Sequence, residues 1–241
     1  MTGLPGTGSR GRARTRDSVP RRHWSRWILT AVIAIVVIAV GAVAAFIKLG
    51  PSFAPLALPQ GVVSAPRGPL SGTWQVADGS LAGFRVEETA LGLRNYVGGE
   101  TPAVTGVIVI SGTTVTSGQF HINLTTVKVS GKAQPQFANS LGTRDHPLAS
   151  VTLTQPLALS PAFAAGRTIA GTATGDLTMN GTSHPVTIML TARRDGSKLQ
   201  TAGSIRVQFT RWGIRQPSGF GFAGSLANHG DAEFLLILHR Q

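Results

Sequence analysis

Hydrophobic residues follow two different patterns along this chain. Residues 27–47 are an apolar segment of 21 residues without a charged side chain, whereas apolar and polar residues alternate in short runs from residue 72 onward. An α-helix rises about 1.5 Å per residue, so such a segment spans roughly 30 Å, the thickness of the hydrocarbon core of a bilayer. The first pattern therefore predicts a transmembrane helix, to which we assign residues 27–49.

The alternating runs predict β-strands, because successive side chains of a strand point to opposite faces. Two-residue turns are predicted at Asn180-Gly181 and Asp195-Gly196, and a short helix is predicted at residues 133–141. A long antiparallel sheet tends to close because closure removes its exposed edges. We therefore expect residues 72–241 to form an all-β antiparallel barrel of about eight strands with one short helix. The predicted strands are residues 73–76, 83–89, 104–110, 115–129, 149–157, 168–179, 186–193, 198–211 and 233–239.

Residues 50–71 connect the apolar segment to the alternating region. Five prolines recur in this stretch, namely Pro51, Pro55, Pro59, Pro66 and Pro69. Proline favours an extended chain of up to about 3 Å per residue, so the composition predicts a semi-rigid spacer.

Basic residues are concentrated in the N-terminal tail. Residues 1–26 contain seven arginines and one acidic residue, Asp17, so they supply about half of the net charge of +12. Arginines beside a membrane span are retained on the cytoplasmic side. We therefore expect a disordered cytoplasmic tail and a single-pass protein of the cell membrane, whose C-terminal domain is extracytoplasmic. A nucleic-acid-binding arm is the alternative, but Trp24 is the one aromatic residue among the arginines of this tail, short of the interleaved pattern of single-strand binders, and we expect no nucleic-acid partner.

A cleaved signal peptide is the alternative to a membrane anchor. Ala42-Val43-Ala44 fits a small-residue cleavage site. However, the apolar region of a signal peptide is typically about 7–15 residues, shorter than this one. The length favours an uncleaved anchor, and either interpretation places the same domain outside the cytoplasm.

Few residues suggest catalysis. The chain has no cysteine, which excludes disulfides, thiolate metal sites and cysteine nucleophiles, and it has no nucleophile elbow, phosphate loop or dinucleotide-binding motif. Its six histidines have no metal-ligand spacing. We therefore predict no catalytic residues, no metal and no cofactor. An enzyme acting on a bound lipid around His121 or His146 remains the alternative, since His146 directly follows Asp145.

Apolar side chains on the predicted strands are numerous enough either to fill a barrel or to line a tunnel. An eight-stranded barrel can do either, and periodicity alone does not distinguish the two. Eight residues are our candidates for the lining of a ligand channel: Phe84, Val86, Phe120, Ile122, Phe137, Leu141, Phe209 and Trp212.

Three motifs resemble a known family. They are GTWQV at residues 72–76 with GFRV at 83–86, TGDLTMNGTSHPV at 174–186, and GSI at 203–205 with FTRWGI at 209–214. Residues 72–240 thereby resemble the YceI-like family of bacterial polyisoprenoid-binding proteins. The resemblance implies a lipocalin-like barrel closed near one end by a short helix. It also implies an apolar channel that takes a polyprenyl lipid or quinone tail, and no enzymatic activity.

The resemblance also implies polar residues at the channel mouth, where this chain departs from the family. The family carries an Arg-Asp pair and a His ahead of one strand. Here Lys132-Ala133-Gln134-Pro135 occupies that region, and Arg144-Asp145-His146 directly precedes Pro147.

We therefore predict an extracytoplasmic lipid-binding module that sequesters or carries an isoprenoid or similar long apolar ligand inside a β-barrel. The alternative is a filled barrel that serves as a structural, stress or interaction protein of the envelope. The sequence does not fix the oligomeric state, and a dimer is compatible with it.

Overall fold

A computed structural model describes residues 52–90, 92–129, 131–215 and 224–241. These residues form thirteen strands in one sheet and two short α-helices. The strands are β1 (Gly72–Val76), β2 (Leu81–Ala90), β3 (Leu93–Thr101), β4 (Val104–Ser111), β5 (Thr114–Asn123), β6 (Lys128–Val129), β7 (Leu148–Leu153), β8 (Leu157–Ala158), β9 (Ile169–Met179), β10 (Thr182–Asp195), β11 (Lys198–Gln208), β12 (Gly224–Leu226) and β13 (His229–Arg240). The helices are α1 (Pro135–Ser140) and α2 (Pro161–Ala164).

Eight of these strands close a barrel. Their order is β1-β4-β5-β7-β9-β10-β11-β13, and β13 returns to β1 through the pairs Trp74–Arg240 and Val76–Leu238. Neighbouring strands of the ring are antiparallel throughout. The predicted antiparallel barrel of about eight strands is confirmed.

The remaining strands extend the wall from β13. The C-terminal end of β13 pairs with β1, whereas Asp231 to Leu235 pair with β2, which continues into β3 and β6. Ser80 makes the turn between β1 and β2: its hydroxyl donates to the carbonyl of Ala77 at 2.7 Å and accepts from the amide of Ile237 at 2.9 Å. Strand β13 thereby pairs with both β1 and β2, which the turn at Ser80 connects.

Strand β3 was not predicted, because it contains Gly98-Gly99. Glycine weakens a strand and usually marks a close approach of other groups. Here the ring of Phe53 packs directly on the Cα of Gly98. A Cβ at Gly99 would lie 3.0 Å from both Phe84 and Val127. The glycines are therefore explained by contacts between residues that are distant in sequence.

Three predicted strands are interrupted or end early in the structure. The predicted strand 115–129 ends at Asn123, whose side-chain oxygen accepts hydrogen bonds from the amide and the hydroxyl of Thr125 and starts a 3₁₀ turn. This local turn competes with the ladder, as asparagine side chains commonly do. The predicted strand 149–157 splits into β7 and β8, which flank Pro156. The predicted strand 198–211 ends at Gln208, where a second 3₁₀ turn, Phe209–Trp212, begins.

The structure confirms the predicted helix at 133–141 and the turn at Asn180-Gly181. Helix α1 begins with Pro135, a residue that suits the first turn because its missing N–H has no partner there. In the turn, Asn180 has φ of 48° and Gly181 has φ of 71°, as a two-residue turn with two left-handed positions requires.

Residues 52–71, which we call the strap, lie along the outside of the barrel. The amide of Phe53 donates to the carbonyl of Tyr96 at 3.1 Å. Further along, the carbonyl of Pro59 accepts from Arg193 at 2.7 Å, and the amide of Ser64 donates to Asp195 at 2.8 Å. The predicted spacer is therefore corrected: this segment is extended, as its prolines require, but it is bound to the wall.

The strap covers polar side chains that the strands direct outward. Arg193 is 9% exposed and Gln200 is 6% exposed, although both lie in the outward phase of their strands. Arg193 donates to Gln200 at 2.8 Å, and Gln200 donates to Asp195 at 3.1 Å. The strap thus completes a hydrogen-bonded layer that water would otherwise reach.

Arg193→Ala is expected to release the strap while the barrel stays folded. The change removes two charge-assisted hydrogen bonds, each worth about 1.5–3 kcal/mol. Hydrogen exchange followed by mass spectrometry should show faster exchange of the amides of residues 56–66 and unchanged protection of β4 and β5. Arg206→Ala is the control, because the Arg206 side chain is 61% exposed and its ion pair, with Asp231 at 3.3 Å, does not involve the strap. Unchanged exchange of the strap in Arg193→Ala would contradict the assignment.

The predicted basic tail at 1–26 and the predicted span at 27–49 lie outside the described residues, so both stay predictions. Among the residues that the structure describes, no helix is long and apolar enough to cross a bilayer.

Candidate functional site

The barrel encloses a cavity of about 550 Å³. Ligand pockets in proteins typically measure about 300–1,000 Å³, so the space suits a small or slender molecule. The barrel that the described residues form is therefore hollow, which counts against the filled-barrel alternative.

The inner surface is apolar because strand alternation directs apolar residues inward. On β13, Ala232, Phe234 and Leu236 line the cavity, whereas Asp231 is directed outward. The inward-facing residues of β9 and β10, among them Leu177 and Ile188, continue the same surface. Burial of a hydrocarbon ligand against such a surface is favourable by about 25 cal/mol for each Å² of apolar area removed from water.

Five residues with polar side chains border the cavity in the described part of the chain, although Gln200 and Glu233 lie in the outward phase of their strands: Ser160, Thr172, Gln200, Thr201 and Glu233. Only Glu233 carries a charge, and no histidine is among them. The alternative of an enzyme around His121 or His146 therefore gains no support from the cavity.

Glu233 is already paired. It is 4% exposed, its Oε1 accepts from Arg85 Nε at 2.7 Å, and its Oε2 accepts from the amide of Leu56 in the strap at 3.1 Å. Arg85 also lies 3.6 Å from Asp231 and 4.5 Å from the ring centre of Tyr96. This cluster belongs to the outer layer, since Arg85 and Glu233 alternate with the inward-facing Phe84 and Phe234.

The protonation of Arg85 follows from this pairing. Burial by itself lowers the pKa of Arg85, but the hydrogen bond to Glu233 and the charges of Glu233 and Asp231 outweigh it and raise the pKa. A raised pKa in the folded state contributes stability that is lost only as pH rises through that pKa. Arg85 therefore stays charged in the physiological pH range. Its charge neutralises the carboxylate of Glu233, which is then not available to pair with a ligand.

Four of the eight predicted lining residues face the cavity, namely Phe84, Phe120, Ile122 and Leu141. The other four lie outside the lining. Phe137 is behind Phe84, with ring centres 5.2 Å apart. Val86 and Phe209 both approach Gly230, where an added Cβ would lie 2.9 Å and 3.3 Å from them. The contact of any of the eight with a ligand stays a prediction.

Trp212 belongs to the packed core instead of the lining. It is 1% exposed, and its Nε1 donates to the carbonyl of Leu177 at 3.1 Å. Its ring meets the ring of His184 edge-on, with centres 4.9 Å apart, and its carbonyl accepts from Asn180 at 2.9 Å. Trp212 therefore fastens the 3₁₀ turn after β11 to the β9–β10 hairpin.

Helix α2 supplies a lining residue that the sequence analysis missed. Phe163 is 3% exposed and closes the cavity near the β10–β11 end. Ser160 caps the helix by accepting from the amide of Phe163 at 3.3 Å, and Pro161 follows at the first position. This serine–proline pair is a helix-start pattern that could have located the element.

Arg194 ties helix α2 to the strap. It is 6% exposed and donates to the carbonyls of Arg67 at 3.0 Å and Gly68 at 2.9 Å, with a longer contact of 3.5 Å to Ala164. The guanidinium group of Arg194 therefore joins helix α2 and the strap at the end of the barrel near Phe163.

The sequence profile described as the YceI-like domain matches residues 74–232. The chain belongs to the YceI-like family. In this YceI-like barrel, the motif at residues 174–186 forms the β9–β10 hairpin. Arg144, Asp145 and His146 are exposed and lie outside the cavity lining, as do Lys132 and Gln134.

Two solved structures are similar to this YceI-like chain. One is a polyisoprenoid-binding domain from Saccharophagus degradans implicated in plant cell wall breakdown, with a TM-score of 0.53 and 12% identity over 71% of this chain and 99% of that one. The other is BcnA of Burkholderia cenocepacia, with a TM-score of 0.46 and 15% identity over 64% and 95% of the two chains. The first likeness supports the lipocalin-like fold. No curated protein matches the chain.

Proposed function

We propose that this protein binds an isoprenoid or a similar long apolar molecule inside its barrel and sequesters or carries it. The observation that supports the proposal most directly is the apolar cavity of about 550 Å³, whose one charged lining residue is already neutralised by Arg85. An ionised group inside it would have no counter-charge, and burying an unpaired charge is costly. The buried part of the ligand is therefore an uncharged hydrocarbon chain.

The family and the Saccharophagus domain support the isoprenoid class, since that domain is described as polyisoprenoid-binding. The basic tail at residues 1–26 and the apolar segment at 27–47 support an extracytoplasmic barrel on a membrane anchor. In that arrangement the ligand would be a lipid or quinone tail drawn from the envelope.

Purified full-length protein is expected to retain such a ligand. Organic extraction followed by mass spectrometry should recover a prenyl lipid in a molar amount comparable with the protein. Phe120→Arg should abolish recovery of this lipid. Repeated absence of any lipid, together with failure to bind an added prenyl alcohol, would contradict the proposal.

A further inference from the structure

The barrel wall is not hydrogen-bonded along its whole height between β7 and β9. Strand β9 pairs with β7 only from Gly175 to Thr178, and the last bond runs from the amide of Thr154 to the carbonyl of Thr174 at 3.0 Å. Beyond it, β8 pairs with β5 through Ala158 and Thr114. Within the described residues, no strand pairs with the first half of β9 on this side.

The free edge of β9 exposes backbone groups toward this gap. Met179 and Thr182 flank a two-residue turn and form a hydrogen-bonded pair, so the odd residues of β9 direct their N–H and C=O groups to β10. The even residues, Ala170 and Thr172, direct theirs the opposite way. The gap therefore has a neutral rim of donors and acceptors.

The exposed residues of the cavity lining cluster at this gap. Among the residues that line it, five are exposed, and they lie on the two sides of the gap: Ala158, Ser160, Ala170, Gly171 and Thr172. The other lining residues are buried or half-buried. None of the five rim residues is charged.

Gly171 keeps the opening clear. It lies in the inward phase of β9 between Ile169 and Ala173, yet an added Cβ would meet no atom within 4 Å. The next inward glycine of the strand, Gly175, differs, because a Cβ there would lie 2.6 Å from the carbonyl oxygen of Thr152. Packing therefore explains Gly175 but not Gly171.

We propose that the gap between β8 and the first half of β9 is a lateral entrance through which the apolar ligand passes, with its polar head left at the rim. This inference rests on the proposed function. The five rim residues offer hydrogen bonds to an uncharged head, such as a hydroxyl or a quinone carbonyl, and none of the five offers a cation to a diphosphate. The entrance controls the rates of exchange.

The absence of cysteine allows a direct test in the full chain. Ala170→Cys is coupled to a bulky thiol reagent through a disulfide, and exchange of a fluorescent prenyl alcohol is followed by stopped flow. Association and dissociation rates should both fall about tenfold, because a blocked passage slows both directions. Reduction of the disulfide should restore both rates. The control is Thr187→Cys, an exposed position on the outer face of β10.

Unchanged rates in labelled Ala170→Cys protein would overturn the entrance. Failure of the unlabelled and wild-type proteins to bind the probe would instead overturn the proposed function, so the two failures are distinguishable. If circular dichroism shows that labelling unfolds the protein, Gly171→Leu provides the same test without a label. This variant should slow both rates. A prenyl diphosphate of equal chain length should bind no more tightly than the alcohol, and tighter binding would overturn the neutral rim.

Discussion

Phe120→Arg is expected to abolish uptake of a fluorescent prenyl alcohol. Phe120 lies in the middle of β5, faces the cavity and has Gly106 opposite it on β4. A guanidinium group at this position would be surrounded by hydrocarbon without a partner, which disfavours both the charge and an apolar neighbour. A loss of affinity of at least about a hundredfold, or roughly 2.7 kcal/mol, should follow in a fluorescence titration.

Gln119→Arg is the matched control for this change. Gln119 is the adjacent residue of the same strand, is exposed and points away from the cavity. It should bind the probe like the wild type. If Phe120→Arg does not fold, Ala173→Phe fills the same cavity with an apolar ring and should also weaken binding. Wild-type affinity in a folded Phe120→Arg protein would show that the ligand lies elsewhere.

Trp212→Ala is expected to give the largest loss of stability. Truncation of a buried tryptophan to alanine typically costs about 3–5 kcal/mol, a large share of the roughly 5–15 kcal/mol by which a domain is stable. Here it also removes the donor to Leu177 and the edge contact with His184. Urea unfolding should show the change as a lower midpoint.

Trp212→Phe separates the two contributions, because it keeps an aromatic ring and loses the N–H. Its loss should be smaller, about 1–3 kcal/mol for the carbonyl of Leu177 left without its donor. Neither variant should alter the affinity of the folded protein for a prenyl alcohol. A weaker affinity at unchanged stability would mean that Trp212 contacts the ligand after all.

Local patterns were sufficient for the barrel. Alternation identified β9, β10 and β13, and Asn180-Gly181 identified the turn that joins the first two of them. These features depend on residues that are near one another in sequence. Strand β3 and the strap depend on distant contacts, such as Phe53 on Gly98, and no periodicity reports them.

The same limit applies to the candidate site. Alternation indicates which residues point inward, but it does not give their height along the barrel. Phe120 and Ile122 lie beside the cavity, whereas Val86 and Phe209 lie beyond it, where the chain packs over Gly230. A hollow interior is a property of summed side-chain volumes around a ring, which a linear pattern does not contain.

The strap also changes where the folded domain begins. The family profile starts at residue 74, but the chain already contacts the barrel at Phe53. A fragment cut at the family boundary would leave the guanidinium groups of Arg193 and Arg194 without the carbonyls of Pro59, Arg67 and Gly68. In this protein the segment that matches the family profile is therefore shorter than the folded domain, and residues 52–71 shield two buried arginines from water.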